Sequence, residues 1–487
     1  IFLFVMYLMF LLAINIGGAL QPLFDVGSVA LFVHGIQWIG YTLHFPDWLT
    51  IFLAQGLGGG INTVLPLVPQ IGMMYLFLSF LEDSGYMARA AFVMDRLMQA
   101  LGLPGKSFVP LIVGFGCNVP SVMGARTLDA PRERLMTIMM APFMSCGARL
   151  AIFAVFAAAF FGQNGALAVF SLYMLGIVMA VLTGLMLKYT IMRGEATPFV
   201  MELPVYHVPH VKSLIIQTWQ RLKGFVLRAG KVIIIVSIFL SAFNSFSLSG
   251  KIVDNINDSA LASVSRVITP VFKPIGVHED NWQATVGLFT GAMAKEVVVG
   301  TLNTLYTAEN IQDEEFNPAE FNLGEELFSA IDETWQSLKD TFSLSVLMNP
   351  IEASKGDGEM GTGAMGVMDQ KFGSAAAAYS YLIFVLLYVP CISVMGAIAR
   401  ESSRGWMGFS ILWGLNIAYS LATLFYQVAS YSQHPTYSLV CILAVILFNI
   451  VVIGLLRRAR SRVDIELLAT RKSVSSCCAA STTGDCH

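Results

Sequence analysis

Charge is what this sequence has least of. Of its 487 residues only 13% are Asp, Glu, Lys or Arg, against 56% hydrophobic, and the mean hydropathy is +0.68. A soluble globular chain carries about 25% charged residues, so the shortage excludes an ordinary water-soluble domain and indicates an integral membrane protein. Lys and Arg are missing altogether before Arg89. The formal net charge of -3 and pI near 6.2 exclude the strongly basic balance that a nucleic-acid partner would need. Enzyme signatures are also missing. Gly105-Lys106-Ser107 ends like a phosphate loop, but the first Gly of G-x-x-x-x-G-K-[ST] would fall on Ala100, and no H-E-x-x-H zinc motif occurs. The seven Cys lack the even, regular framework of a secreted disulfide scaffold. The apolar start Ile1 to Leu20 has no initiator Met, basic flank or small-residue cleavage site. It reads as a transmembrane helix exposed by truncation rather than a signal peptide, with further sequence expected upstream.

What is present is a series of apolar runs, some of them broken. Residues 1–60 give a first span, Phe2 to Asn15, and a Lys/Arg-free stretch from about Gln21 to Gly60 with Asp25, His34, His44 and Asp47. The positive-inside rule puts that stretch on the outer side. Residues 61–190 return across at Ile61 to Leu81, deliver Glu82, Asp83 and Arg89 inward, and hold a first gate repeat and a span from about Gly165 to Leu187. Residues 191–283 combine a basic cytoplasmic segment (Lys212, Arg221, Lys223, Lys231), a span around Val232 to Ser245 and an outer loop from about Leu248 to Trp282. Residues 284–405 form a second gate repeat with a polar insertion at 307–373, expected as short helices plus a mobile loop. Residues 406–456 supply two more spans, about Phe409 to Tyr426 and Ser438 to Leu456. In the tail, 457–487, the basic flank Arg457, Arg458, Arg460 and Arg462 places the C-terminus inside.

The interruptions are more informative than the spans. In Val113-Gly114-Phe115-Gly116-Cys117-Asn118-Val119-Pro120-Ser121 two Gly, a thiol, an amide and a Pro cut an apolar run. Broken backbone at membrane depth is tolerated only where it is buried in protein or lines a cavity, and interrupted segments mark a transporter's binding site. The order recurs: Gly116/Cys117 then Pro142/Cys146, and Gly291/Glu296 then Pro390/Cys391. This suggests an internal repeat with substrate at its interface; the competing explanation is that Gly and Pro are simply commoner in membrane helices.

Soft sulfur dominates the groups near these breaks: Cys117, Cys146, Cys391, Met139, Met140 and Met144. Thiol and thioether, mixed with carboxylate or carbonyl oxygen, suit a first-row transition metal better than magnesium or calcium, although Met and Cys also serve as plain packing. A charge inside an apolar run is costly and usually functional or paired. Glu296 is the best carboxylate for a cation path, and its neighbour Lys295 pairs elsewhere, because adjacent residues do not face each other on a helix. Asn118 is a further ligand candidate. Glu82 and Asp83, at a helix end, form either a cation mouth or an interfacial anchor. Arg149 and Glu401 allow both a buried and an anchoring role; for Glu401 the flanking Arg400 and Arg404 favour the anchor. Cys477, Cys478, Cys486 and His487 in the tail either catch a metal or belong to a disordered end.

Gly114 to Pro120, Arg126-Thr127, Pro142-Phe143-Met144-Ser145-Cys146-Gly147-Ala148-Arg149-Leu150, Gly291 to Glu296, Tyr388-Val389-Pro390-Cys391 and Glu82 to Arg89 together resemble the membrane part of the bacterial ferrous iron transport protein B family (FeoB). The resemblance runs along essentially the whole chain. It implies an all-α polytopic membrane protein with two nucleoside-transporter-like gate repeats, broken or re-entrant helices, and about eight or more spanning helices. It implies a multi-pass protein of the bacterial inner membrane, C-terminus cytoplasmic, that imports Fe(II) as substrate, with Cys117, Cys146 and Cys391 matching the gate cysteines implicated as iron ligands. GTP and Mg would act only through the family's N-terminal GTPase domain, which is not in this sequence. Other implied partners are the lipid bilayer, small cytoplasmic Feo accessory proteins and a homo-oligomeric copy. Ala151 stands where the family often has Pro, and Ile392-Ser393 where smaller residues are usual, so the helix break after Arg149 is the less certain part of the match. Two rivals remain on sequence alone: a nucleoside or other organic-solute carrier of the same architecture, and a membrane metal sensor that transports nothing.

Overall fold

In lipid every backbone N–H and C=O must find its partner within the protein, so apolar runs fold as helices. The computed structural model of the protein consists of helices and turns, with no strand among the described residues. It describes residues 2–46, 49–50, 52–192, 206, 209–231, 234–235, 237–238, 259–293, 295, 297–307, 323–341, 362–432 and 434–480. Among these, seven helical runs are long and apolar enough to cross a membrane: Asn15–Thr42, Phe52–Asp83, Pro131–Phe160, Gly165–Thr190, Ala375–Glu401, Arg404–Ala429 and Pro435–Arg458. The stretch from Gln21 to Gly60, expected outside the bilayer, is helical over Gln21–Thr42 and again from Phe52. It carries no Lys or Arg, and Asp25 and His34 are its only titratable groups within Gln21–Thr42 apart from Tyr41. Most of the expected span at Val232 to Ser245, much of the polar insertion, Glu296, Cys486, His487 and the side chains of Cys477 and Cys478 lie outside the described residues.

The helices used below are α1 (Phe2–Ala19), α2 (Leu67–Asp83), α3 (Phe108–Val113), α4 (Asn118–Gly124), α5 (Pro131–Met140), α6 (Gly147–Phe160), α7 (Gly165–Thr190), α8 (Val211–Phe225), α9 (Trp282–Met293), α10 (Val297–Thr307), α11 (Leu323–Thr341), α12 (Ala375–Leu387), α13 (Ile392–Glu401), α14 (Arg404–Ala429) and α15 (Pro435–Ala480). The polar insertion thus holds helical pieces, α11 and a helix at Thr362–Phe372.

Two pairs of these are hairpins. α3 and α4 have six and seven residues, about 9–10 Å each at 1.5 Å per residue, far short of a hydrocarbon core about 30 Å thick. They fold back on each other, with Gly124 facing the Pro110 ring. α9 and α10 do the same: Gly287 meets Leu302, and Tyr306 donates to the Asn281 side chain at 2.7 Å. The other two pairs, α5/α6 and α12/α13, run on as spans with a break in the middle. The chain therefore contains hairpin, broken span and intact span (α3/α4, α5/α6, α7), then the same order again (α9/α10, α12/α13, α14).

The two copies lie in opposite senses. The ends of α4 and α13 and the start of α5 meet where Arg126 and Arg134 reach Glu401. At the far face the end of α6 packs on α12 and on the helix before it, with Phe156 stacked on Tyr381 at 5.4 Å and Phe160 edge-on to Phe372, the last residue of Thr362–Phe372, at 5.8 Å. One hairpin opens toward the first face and the other toward the second, the inverted-repeat pattern of transporters.

α7 shows how lipid is met. Leu167, Phe170, Met174, Val178 and Leu182, at helical spacing, are exposed, while Gly176, Ala180 and Gly184 on the other side are buried. An apolar stripe of this size is a liability in water and ordinary against acyl chains. The small residues let α7 approach the first break. A Cβ on Gly176 would stand 2.8 Å from the Phe143 carbonyl oxygen, and one on Gly414 of α14 would stand 3.2 Å from the carbonyl oxygens of Leu387 and Tyr388 at the second break. Both repeats press a glycine of the following span against the freed carbonyls.

Candidate functional site

A helix start leaves backbone N–H groups without partners, and Ser, Thr, Asp or Asn usually caps them. At three of the breaks the capping position is Cys. Cys117 (φ −153°, ψ 131°) precedes α4, Cys146 (φ −81°, ψ 165°) precedes α6 and Cys391 (φ −61°, ψ 154°) precedes α13. All three have extended backbone, are half-buried and unoxidised, and make no side-chain cap bond. None of the three sulfurs therefore serves as the cap of its own helix.

Backbone bonds join the first two breaks. The Gly147 N–H donates to the Gly116 carbonyl at 3.3 Å. The buried Asn118 amide is surrounded by main-chain carbonyls: its nitrogen donates to Met144 at 3.3 Å or, with the amide turned over, to Gly114 at 2.9 Å and Ala141 at 3.1 Å. Asn118 therefore ties hairpin to broken span. Arg149, 1% exposed, donates to the carbonyls of Met144 at 2.8 Å and Pro142 at 3.0 Å, filling acceptors that the break strands. Met144 is buried against Gly114. Met139 and Met140 are core residues, Met140 packed on Gly184.

The second repeat closes over this junction. The buried Lys295 ammonium stands 4.9 Å from the centre of the Tyr388 ring, a cation–π distance. Tyr388 in turn is within electrostatic reach of Arg149 and Cys391. Two further tyrosines stand near the first-repeat thiols: Tyr75 of α2 by Cys117, and Tyr173 of α7 by Cys146. The hydroxyls of Ser145, Ser121 and Tyr388 are buried without a hydrogen-bond partner among the described residues. Buried polar atoms are rarely left so, and all three lie at or beside a break.

The remaining predicted residues sit elsewhere. Glu82 pairs with Arg221 of α8 at 2.8 Å, and Asp83 accepts from Gln217 of α8 at 3.3 Å. About 10 Å of α2 separates them from Tyr75. Glu296 lies outside the described residues. Among the described residues no group of three or more His, Cys, Asp and Glu stands close enough to hold a metal ion; the thiols line the junction without forming a closed cage.

Glu401 departs from the anchor its neighbours suggest. Its side chain is 3% exposed and binds Arg126 at 2.5 Å and Arg134 at 2.9 Å, and Arg134 also donates to its main-chain carbonyl at 3.0 Å. The hydrogen bond to the Glu401 carboxylate raises the pKa of Arg126 above its ordinary value. The partners are some 270 residues away in sequence, whereas Arg400 and Arg404 are merely adjacent. Tyr75, Tyr173, Arg126 and Arg134 are the residues that sequence reasoning leaves out of the site. The one available signal was polar hydroxyls inside otherwise apolar runs.

Comparisons with known proteins agree with this layout. A family model described as Gate, nucleoside recognition, matches residues 64–160 and 226–404, and one described as ferrous iron transport protein B C terminus matches residues 169–221. The chain is 99% identical over 487 residues to a Fe(2+) transporter FeoB of Shigella flexneri and 94% identical over 487 residues to one of Salmonella typhimurium. It is 49% identical over 459 residues to one of Legionella pneumophila. These alignments cover 100%, 100% and 94% of this chain but 63%, 63% and 61% of those proteins, so the chain spans somewhat under two thirds of the relatives' length. No solved structure matches.

Proposed function

Because the chain belongs to the ferrous iron transport protein B family, we propose that it is the part of a transporter through which Fe(II) crosses the bacterial inner membrane. The observation that carries this reading is the placing of three cysteines, none capping its helix, at the broken ends of helices from both repeats, two of them in breaks joined by one hydrogen bond. Fe(II) arrives hydrated, and a path through lipid must replace part of that shell. Cys117 and Cys146 from the first repeat and Cys391 from the second supply sulfur, with Met144, Glu296 and the oxygen of Asn118 completing the transient shell. Thiolate is the ligating form, so each metal–sulfur bond releases a proton. Arg149 and Lys295 place fixed positive charge beside these anionic ligands. They offset part of the attraction and keep binding weak enough for release, as conduction requires. Glu82 and Asp83 serve the inner mouth, beside α8.

In this reading the C-terminus is cytoplasmic, the chain performs no catalysis of its own, and a GTPase domain using GTP and Mg, upstream in the full-length protein, drives the cycle. Small cytoplasmic Feo proteins and a second copy are the partners to expect. A nucleoside or other organic-solute carrier is not favoured, since the relatives bear the name Fe(2+) transporter. The deciding experiment is uptake of radioactive Fe(II) into vesicles holding the full-length protein: uptake by the wild type that is lost in Cys146→Ser supports the reading, and equal uptake by both overturns it.

A further inference from the structure

Below the thiols lies a cavity of about 290 Å³ between α4, α13 and the end of α8. Its lining begins within two residues of two of these thiols: Ile392 and Ser393 follow Cys391 directly, and Val119 follows Cys117 by two. It ends at Arg126, Arg400 and Glu401, where α4 and α13 stop. Met123 of α4, Met395 of α13 and Met407 of α14 face it from three helices. At about 30 Å³ per water, the space takes about ten waters, enough for an ion that is recovering its hydration.

The two walls belong to different repeats. α4 is half of the first hairpin, and α13 is the second half of the second broken span. Across their ends Glu401 holds Arg126 and Arg134, both from the first repeat. Any movement that carries the end of α4 and the start of α5 away from α13 must break these pairs. While the bridge holds, two guanidinium groups and the nearby Arg400 outnumber one carboxylate, so the mouth repels a leaving cation. Once it opens, the same carboxylate is free to face the ion.

We infer that this cavity is the inner release chamber for the transported cation, and that the Arg126–Glu401–Arg134 bridge is the latch that closes it. The inference rests on the Fe(II) reading for the identity of the cargo, but not for the latch. Thioether and water surround the ion after it leaves the thiols, and Glu401 exchanges its arginines for the cation as the chamber opens.

The test uses the full-length protein in phosphatidylethanolamine–phosphatidylglycerol vesicles, with Ser393→Cys introduced as a reporter inside the chamber. A membrane-impermeant maleimide is applied on the Arg126 side, and modification at position 393 is read by peptide mass spectrometry. Glu401→Gln should raise the labelling rate by about 5- to 150-fold, the range of coupling between linked sites. It should also release preloaded Fe(II) without GTP. Arg126→Gln, which removes a half-exposed partner and leaves the buried carboxylate paired to Arg134, should shift labelling the same way by less, and serves if the first variant fails to fold. Unchanged labelling in both variants overturns the latch. Increased labelling with unchanged metal release overturns the chamber as the metal's exit. Absence of Fe(II) uptake by the wild type would refute the transport reading instead, and the labelling result, which involves no iron, would still decide the latch.

Discussion

The Gly147 N–H donates to the Gly116 carbonyl oxygen at 3.3 Å, so the break that exposes Cys117 and the break that exposes Cys146 are one junction. Gly147 is the first residue of α6, where Pro is well tolerated because that N–H has no partner inside the helix. Cys146 is already in the extended conformation that a following Pro demands. A Cβ at position 147 would meet nothing nearer than the Gln70 amide at 3.7 Å.

Gly147→Pro removes that donor and places its ring Cδ along the former N–H direction, toward the Gly116 carbonyl oxygen, so the two breaks must part slightly to admit it. Loss of one such bond costs about 0.5–1.5 kcal/mol, so the protein should remain folded and inserted while the two breaks lose their tie. Fe(II) uptake should fall several-fold with a thermal midpoint in detergent lowered by only a few degrees. Uptake equal to wild type would show that the junction does not need the tie.

The thiols give a prediction in which stability and transport move in opposite directions. None of the three caps its helix, and Ser is among the best capping residues, worth about 0.5–2 kcal/mol over Ala at that position. Cys146→Ser and Cys391→Ser should leave the melting temperature unchanged or raise it while Fe(II) uptake is lost. A drop in melting temperature that accompanies the lost uptake would assign these cysteines to structure.

Part of this arrangement is written locally and part is not. Gly116, Pro142 and Pro390 interrupt apolar runs within a few residues of Cys117, Cys146 and Cys391, so the breaks and their thiols can be read from the chain, as can the order of the two repeats. The Arg126 and Arg134 partners of Glu401, and the approach of Tyr75 and Tyr173 to the thiols, depend on which helices pack together, and no short-range spacing encodes that. The helical form of Gln21–Thr42 is hidden for another reason: charge rules orient the loops between spans but do not separate a loop without Lys or Arg from a helix without them.

Close packing at the breaks makes two glycines unequal. The position for a Cβ at Gly176 is 2.8 Å from the Phe143 carbonyl oxygen, inside any real contact, while that at Gly414 is 3.2 Å from its nearest carbonyl oxygens. Overpacking costs about 1–3 kcal/mol when neighbours have to move. Gly176→Ala should lower the melting temperature in detergent clearly, and Gly414→Ala less. The reverse order would mean that α7 yields more easily than α14 does.

The last prediction concerns Lys295, whose ammonium stands 4.9 Å from the Tyr388 ring centre. If its positive charge offsets the anionic ligands, Lys295→Met should tighten the gate's hold on Fe(II), because the methionine keeps the bulk of the side chain and removes the charge. Two unit charges about 4 Å apart interact by about 4 kcal/mol at an effective dielectric constant near 20, so even a partial effect is measurable. The half-saturating Fe(II) concentration for uptake should fall and the maximal rate should fall with it, since release becomes slow. If Lys295 instead only props Tyr388, both the methionine variant and Lys295→Arg would lower the maximal rate with no gain in affinity. A lower half-saturating concentration in the methionine variant alone, with Lys295→Arg close to wild type, is the pattern that the charge argument requires.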